Sequence, residues 1–209
     1  MSQSASTVFI VDDDTSVLKS LSRLLRSARL NSVAFSSPQE FLDGYSPHTA
    51  GCLVLDVAMP GLDGLQLQQA LIAKGSEIPI IFLTGHGDIP MSVRAMKRGA
   101  VDFLTKPVNG EDLLKAIHTA METDRANRQT RAELDDIRQR ESTLTPRERE
   151  VMRCVISGAL NKRIAQLLGI AEKTVKVHRG RVMQKMAARS VAELVSLCRE
   201  AGITPIPVA

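Results

Sequence analysis

The sequence predicts an α/β doubly wound, five-stranded parallel sheet followed by a small all-α unit of four helices. Three observations carry this expectation. Apolar, β-branched runs recur five times before residue 106, each followed by a segment whose apolar residues return at helical spacing. After Leu144 the pattern is helical throughout. Charge divides along the same line: residues 1 to 124 hold 10 Lys and Arg against 14 Asp and Glu, a net −4, while residues 125 to 209 hold 17 against 9, a net +8.

The first run, TVFIVD from Thr7, feeds a helix marked by Val17, Leu18, Leu21, Leu24, Leu25 and Ala28. NSVAF (31 to 35) leads to a helix opening at Ser37 and Pro38, and CLVLD (52 to 56) to one over residues 64 to 74. PIIFLT (79 to 84) precedes a helix beginning near Pro90, and VDFLT (101 to 105) precedes one starting at Glu111. Strands this uniformly apolar are buried on both faces, so crossover helices must cover both sides of the sheet. Residues 122 to 141 carry only Ala126, Ala132, Leu134 and Ile137 as apolar points and read as a helical linker able to extend the preceding helix.

Thr145, Pro146 and Glu148 form an N-terminal signal: a capping hydroxyl, proline at the first helical position, and glutamate at the third. Helices are expected over 146 to 157, 161 to 168, 172 to 186 and 190 to 201, with Gly158 and Gly169 ending the first two. The closing ITPIPVA reads as a loose tail. The expected division is therefore 1–121, a linker over 122–141, and 142–209.

At 209 residues the chain can bury two cores, and aromatics at 3% with no Trp leave Leu, Ile, Val and Met to build them. The start lacks a basic segment followed by a long apolar run, and no stretch approaches the roughly 18 apolar residues of a membrane span. A cytoplasmic protein without a membrane partner is expected. Cys52, Cys154 and Cys198 are far apart, unpaired in spacing and set among apolar residues, which predicts buried reduced thiols.

Parallel sheets bind ligands beyond their strand C-termini, and here those ends carry Asp12 and Asp13, Asp56, Thr84 and Lys106. An exposed strand-end carboxylate such as Asp56 can act as a nucleophile. Phosphoryl transfer asks for little more than that nucleophile and positive charge on the phosphoryl oxygens. Asp12 and Asp13 offer a place for a hard divalent cation, and three gathered carboxylates repel one another unless one is bound, which points to Mg²⁺. Thr84 can donate a hydrogen bond to a phosphoryl oxygen, and Pro107 after Lys106 fixes the turn that aims the ammonium. Asp14 and Asp63 are expected as a helix cap and a turn residue.

VDDD at 11 to 14, LDVAMPGLDG at 55 to 64, LTGHGD at 83 to 88 and the Lys-Pro at 106 and 107 resemble a response-regulator receiver domain, a flavodoxin-like fold, over residues 6 to 121. The resemblance implies Asp56 as phosphoacceptor, with Asp13 and Asp56 ligating Mg²⁺ through side chains, Ala58 through its carbonyl and Asp12 through water. It also implies Thr84 as the switch hydroxyl and Phe103 as an aromatic ring that turns inward when Thr84 moves. An aspartyl-phosphate phosphatase of the haloacid-dehalogenase type would instead need a second acid two residues after the nucleophile, where Ala58 stands.

In NKRIAQLLGIAEKTVKVHRGRVMQKM (161 to 186), Ile164, Leu167, Leu168, Ile170, Val175, Val182 and Met186 can form one apolar seam, and the Gly169 turn suits a helix-turn-helix. Lys173, Lys176, Arg179, Arg181 and Lys185 crowd five charges into its second helix, a density suited to phosphates. LTPREREVM (144 to 152) and EKTVKVHRGRVMQKM (172 to 186) resemble the C-terminal domain of the NarL/FixJ family. That resemblance places Lys176, Val177 and Gly180 facing the DNA groove, with Lys173, Thr174, Arg179 and Arg181 within reach of phosphates or neighbouring bases. Gly180 stands where other members carry a long basic side chain and cannot itself hydrogen-bond a base. The resemblance further implies a histidine kinase as phosphodonor, promoter DNA, RNA polymerase and a second copy of the chain as partners, and transcriptional activation as the outcome.

Overall fold

The structure is a computed structural model describing residues 6–47, 49–85, 95–96 and 98–206. It divides into two compact units, residues 1–128 and 129–209. The first holds β1 (Thr7–Val11), α1 (Thr15–Ser27), β2 (Asn31–Phe35), α2 (Pro38–Gly44), β3 (Gly51–Asp56), α3 (Gly64–Ala73), β4 (Ile80–Thr84) and β5 (Asp102–Thr105). The helix α4 (Gly110–Ser142) follows, and α5 (Pro146–Ile156), α6 (Asn161–Leu168), α7 (Glu172–Lys185) and α8 (Val191–Glu200) complete the chain. His86, Lys97 and the start of the helix expected at Pro90 lie outside the described residues.

The strand pairings are parallel, as the sequence predicts for a doubly wound sheet, and the structure sets their order as β2-β1-β3-β4-β5. Strand alternation sorts the apolar residues into two layers. Phe9, Val11, Leu53, Leu55 and Phe82 pack with Phe41, Leu67 and Leu71 from α2 and α3. Val8, Ile10, Cys52, Val54, Ile81 and Leu83 pack with Leu21 and Leu25 of α1 and with Leu113, Ile117 and Ala120 of α4.

Residues 122 to 128, expected as linker, are fastened to the sheet unit. Asp124 is buried, accepts the Gly51 N–H at 3.0 Å, and pairs with Arg128 at 2.8 Å, while Arg128 also donates to the Thr49 carbonyl. A Cβ on Gly51 would lie 1.8 Å from the Thr7 carbonyl oxygen, so only glycine brings that N–H to Asp124. Further along the same helix, Ile137 is buried among the residues of the second unit.

In that second unit Ile164, Val175, Val182 and Met186 are buried with Val151, Met152, Val155 and Leu194. Leu168 and Ile170 pack against them, whereas Leu167 is 48% exposed and leaves the expected seam. The tail is not loose at its start. Ile203 and Ile206 pack against the core, and Arg153 donates to the Thr204 carbonyl at 2.9 Å. All three cysteines are free and buried, and burial pushes the Cys52 thiol up to about 12.

Candidate functional site

The sheet brings the predicted strand-end residues together. β1, β3 and β4 are adjacent and parallel, so Asp12, Asp56 and Thr84 emerge at one edge, all buried, with exposed Asp13 beside them. Lys106 follows β5, held by its N–H donating to the Thr84 carbonyl at 2.7 Å and by a cis bond to Pro107. Its ammonium reaches back across the edge, donating to Asp12 Oδ2 at 2.6 Å and lying 2.8 Å from Asp56 Oδ1.

One oxygen each from Asp12, Asp13 and Asp56 can be chosen within 4.8 Å of one another. Three carboxylates against one ammonium leave two negative charges, and oxygen donors at this spacing fit a hard divalent cation. Burial raises the Asp56 pKa, opposed by Lys106 and reinforced by Asp12 and Asp13. Burial alone would lower that of Lys106, but its hydrogen bonds to Asp12 and Asp56 outweigh this and raise it.

The loop after Asp56 returns tightly onto the strand. A Cβ on Gly64 would meet the Asp56 carbonyl oxygen at 2.3 Å, a close approach that motif reading alone did not single out. Ala58 is exposed on this loop. Asp63 is a helix cap and not merely a turn residue: it accepts the Gln66 N–H at 2.7 Å while Gln66 accepts its own. Asp14 caps α1 through the Ser16 N–H, which lowers its pKa. Phe103 is half-buried, 6.1 Å from Phe82, and register places it on the same sheet face as Thr84, one strand over.

The second candidate surface is α7. Val175 and Val182 anchor it inward, and Lys173, Lys176, Val177 and Gly180 form one exposed stripe on the opposite side. Exposed Gln184, four residues beyond Gly180, continues that stripe; helical periodicity signals it, although its lack of charge hid it. Arg181 is exposed at the flank and Thr174 half-buried. Arg179 is half-buried and donates to the Asn161 side chain at 3.1 Å. Lys185 is not a free charge, since it pairs with buried Glu148 at 2.7 Å. His178, on the same helix, is half-buried.

Each unit matches a known protein family. Residues 8–118 match the family described as response regulator receiver domain, and residues 142–198 the bacterial regulatory proteins of the luxR family. The chain is 50% identical over 197 residues to Nodulation protein W of Bradyrhizobium diazoefficiens, covering 94% of this chain and 87% of that protein. It is 43% identical over 196 residues to the transcriptional regulatory protein FixJ of the same organism, covering 94% and 96%. The solved structure of response regulator StyR superposes with a TM-score of 0.83 at 49% identity, covering 94% of this chain and 99% of that one. A receiver domain followed by a LuxR-type DNA-binding domain defines a two-component response regulator, a regulator and not an enzyme. The chain belongs to the NarL/FixJ family of these proteins.

Proposed function

We propose that Asp56 accepts a phosphoryl group from a partner histidine kinase, and that this modification controls dimerisation and sequence-specific promoter binding. Transcription is then activated through contact with RNA polymerase, in the cytoplasm. The observation that carries the reading is the Lys106 ammonium bridging Asp12 and Asp56 at the sheet edge, with Asp13 alongside.

Lys106 occupies Oδ1 of Asp56, which leaves Oδ2 to attack phosphorus; the oxygen–phosphorus bond forms as the donor's bond to phosphorus breaks. Lys106 and the Thr84 hydroxyl then hold the phosphoryl oxygens. Asp13, Asp56 and the Ala58 carbonyl would hold Mg²⁺, with Asp12 acting through water, and the ion would supply further positive charge to the phosphoryl oxygens. As Thr84 moves toward the phosphoryl group, Phe103 turns into the space it leaves and reshapes the surface of β5 and α4.

In the divided chain, 1–121 with the clamped residues 122–128 serves as receiver, the rest of 122–141 as linker and 142–209 as DNA reader. Lys176, Val177 and Gly180 enter the major groove, while Lys173, Thr174, Arg179 and Arg181 contact phosphates or flanking bases. Exposure of the α7 stripe and the net +8 of the last 85 residues support this.

Incubation of the full chain with acetyl phosphate and Mg²⁺, followed by intact mass, tests the reading. A single adduct of about 80 Da, the mass of a phosphoryl group, is expected on the wild type and absent from Asp56→Asn. Equal adduct on both proteins would move the acceptor elsewhere.

A further inference from the structure

A cleft in the first unit shares no residue with the strand-end site. It holds about 340 Å³ between α1 and β2, lined by Leu18, Lys19, Ser22, Arg23, Arg26 and Ala34. Lys19, Arg23 and Arg26 stand at i, i+4 and i+7 on the exposed face of α1, which contains no acidic residue. None of the three makes an ion pair or side-chain hydrogen bond among the described residues. Like charges at this spacing repel and weaken a helix. They also run against the sign of their surroundings, since residues 1 to 124 carry net −4.

The other wall of the cleft is β2, an edge strand hydrogen-bonded only to β1 within the sheet. An edge strand offers a row of main-chain donors and acceptors to an incoming chain. β2 bears no Lys, Pro or other charge to discourage such pairing, and Val33 and Ala34 on it are exposed.

We infer that the α1–β2 cleft is a docking site for an acidic, extended segment of a partner protein, which adds to the free edge of β2 and sets its carboxylates against Lys19, Arg23 and Arg26. Main-chain pairing supplies the common affinity, and the three cations select acidic over neutral or basic sequences.

The test uses the full-length, nitrogen-15-labelled protein and a fluorescent seven-residue peptide alternating Glu and Val. Peptides alternating Lys and Val, and a short random duplex, serve as comparators. Backbone shifts are expected at Ser32 to Phe35 and along α1 on adding the acidic peptide. Affinity should fall about tenfold or more in Lys19→Glu/Arg23→Glu and decline steeply with salt. Acetyl phosphate should still label the variant at Asp56, and its melting temperature should not fall, which separates lost docking from lost folding. Absence of binding by the acidic peptide, equal binding of the acidic and basic peptides, shifts confined to α1, or preferential binding of the duplex would each overturn the proposal.

Discussion

Glu148 carries two jobs with one carboxylate. It completes the capping box of α5, accepting the Thr145 N–H at 2.9 Å, and it pairs with Lys185 at 2.7 Å. Lys185, and then the Thr145 N–H, hold its pKa down at about 2 against an ordinary 4.5. Because the folded value lies below the unfolded one, its contribution to stability is complete above about pH 4.5 and disappears as pH falls toward about 2. Glu148→Gln should therefore weaken the second unit at pH 7 by about 1–2 kcal/mol, at the low end because Lys185 retains access to water. The gap from wild type should close on acidification, as read by hydrogen exchange of peptides from α5. A gap independent of pH would assign the loss to packing. The cap was legible from Thr145, Pro146 and Glu148 in sequence. The partner was not, because Lys185 lies 37 residues away and only the fold decides between Glu148 and DNA. Asp12, Asp13, Asp56 and Lys106 were legible for the converse reason: adjacent parallel strands oblige their ends to meet.

At the scale of elements, the five strands follow from apolar runs alternating with helical periodicity, and the structure places each run in one sheet, in an order the runs do not fix. The division of α4 did not follow. Its middle is polar, and a polar helix looks the same in sequence whether water or a neighbouring loop receives its charges. Asp124 and Arg128 are satisfied by Gly51 and Thr49, more than seventy residues back along the chain. A receiver fragment ending at residue 128 should accordingly be more stable than one ending at 121, by about 1–3 kcal/mol for a buried polar set left unmade. Tyr45, the only tyrosine in a chain without Trp, reports this unit through its stack on Phe41 at 4.9 Å. Coincident denaturation curves for the two fragments would show the clamp to be energetically idle.

For the whole molecule, the net +8 of residues 125 to 209 against −4 of residues 1 to 124 assigns the polyanion partner to the second unit. The proposed coupling runs through the face expected from residues 91 to 98, β5 and the start of α4, whose sequence carries Lys97 and Arg98 with Asp102, Glu111 and Asp112 and suits self-complementary pairing about a two-fold axis. The protein should sediment as a monomer alone and as a dimer with beryllium fluoride and Mg²⁺. Two α7 helices would then meet half-sites about 34 Å apart. A monomer that nevertheless gains DNA affinity would discard dimerisation and leave release of α7 as the switch. The basic second half pointed to a nucleic-acid partner through its charge, whereas no residue pattern displays the state of assembly.

Gly180 sits in mid-helix on the exposed side of α7, and a Cβ there would meet nothing within 4 Å. Folding gains nothing from a glycine at such a position; helix propensity alone favours Gly180→Ala by roughly 0.5–1 kcal/mol. The glycine is thus a stability deficit that the fold carries, of the kind expected where function and robustness pull in opposite directions. If the duplex approaches the helix backbone at this point, Gly180→Ala should melt at a higher temperature and bind promoter DNA less tightly, the added methyl group standing where the bases must pass. A variant that is both more stable and equally tight would make Gly180 an unforced concession and take it out of the interface.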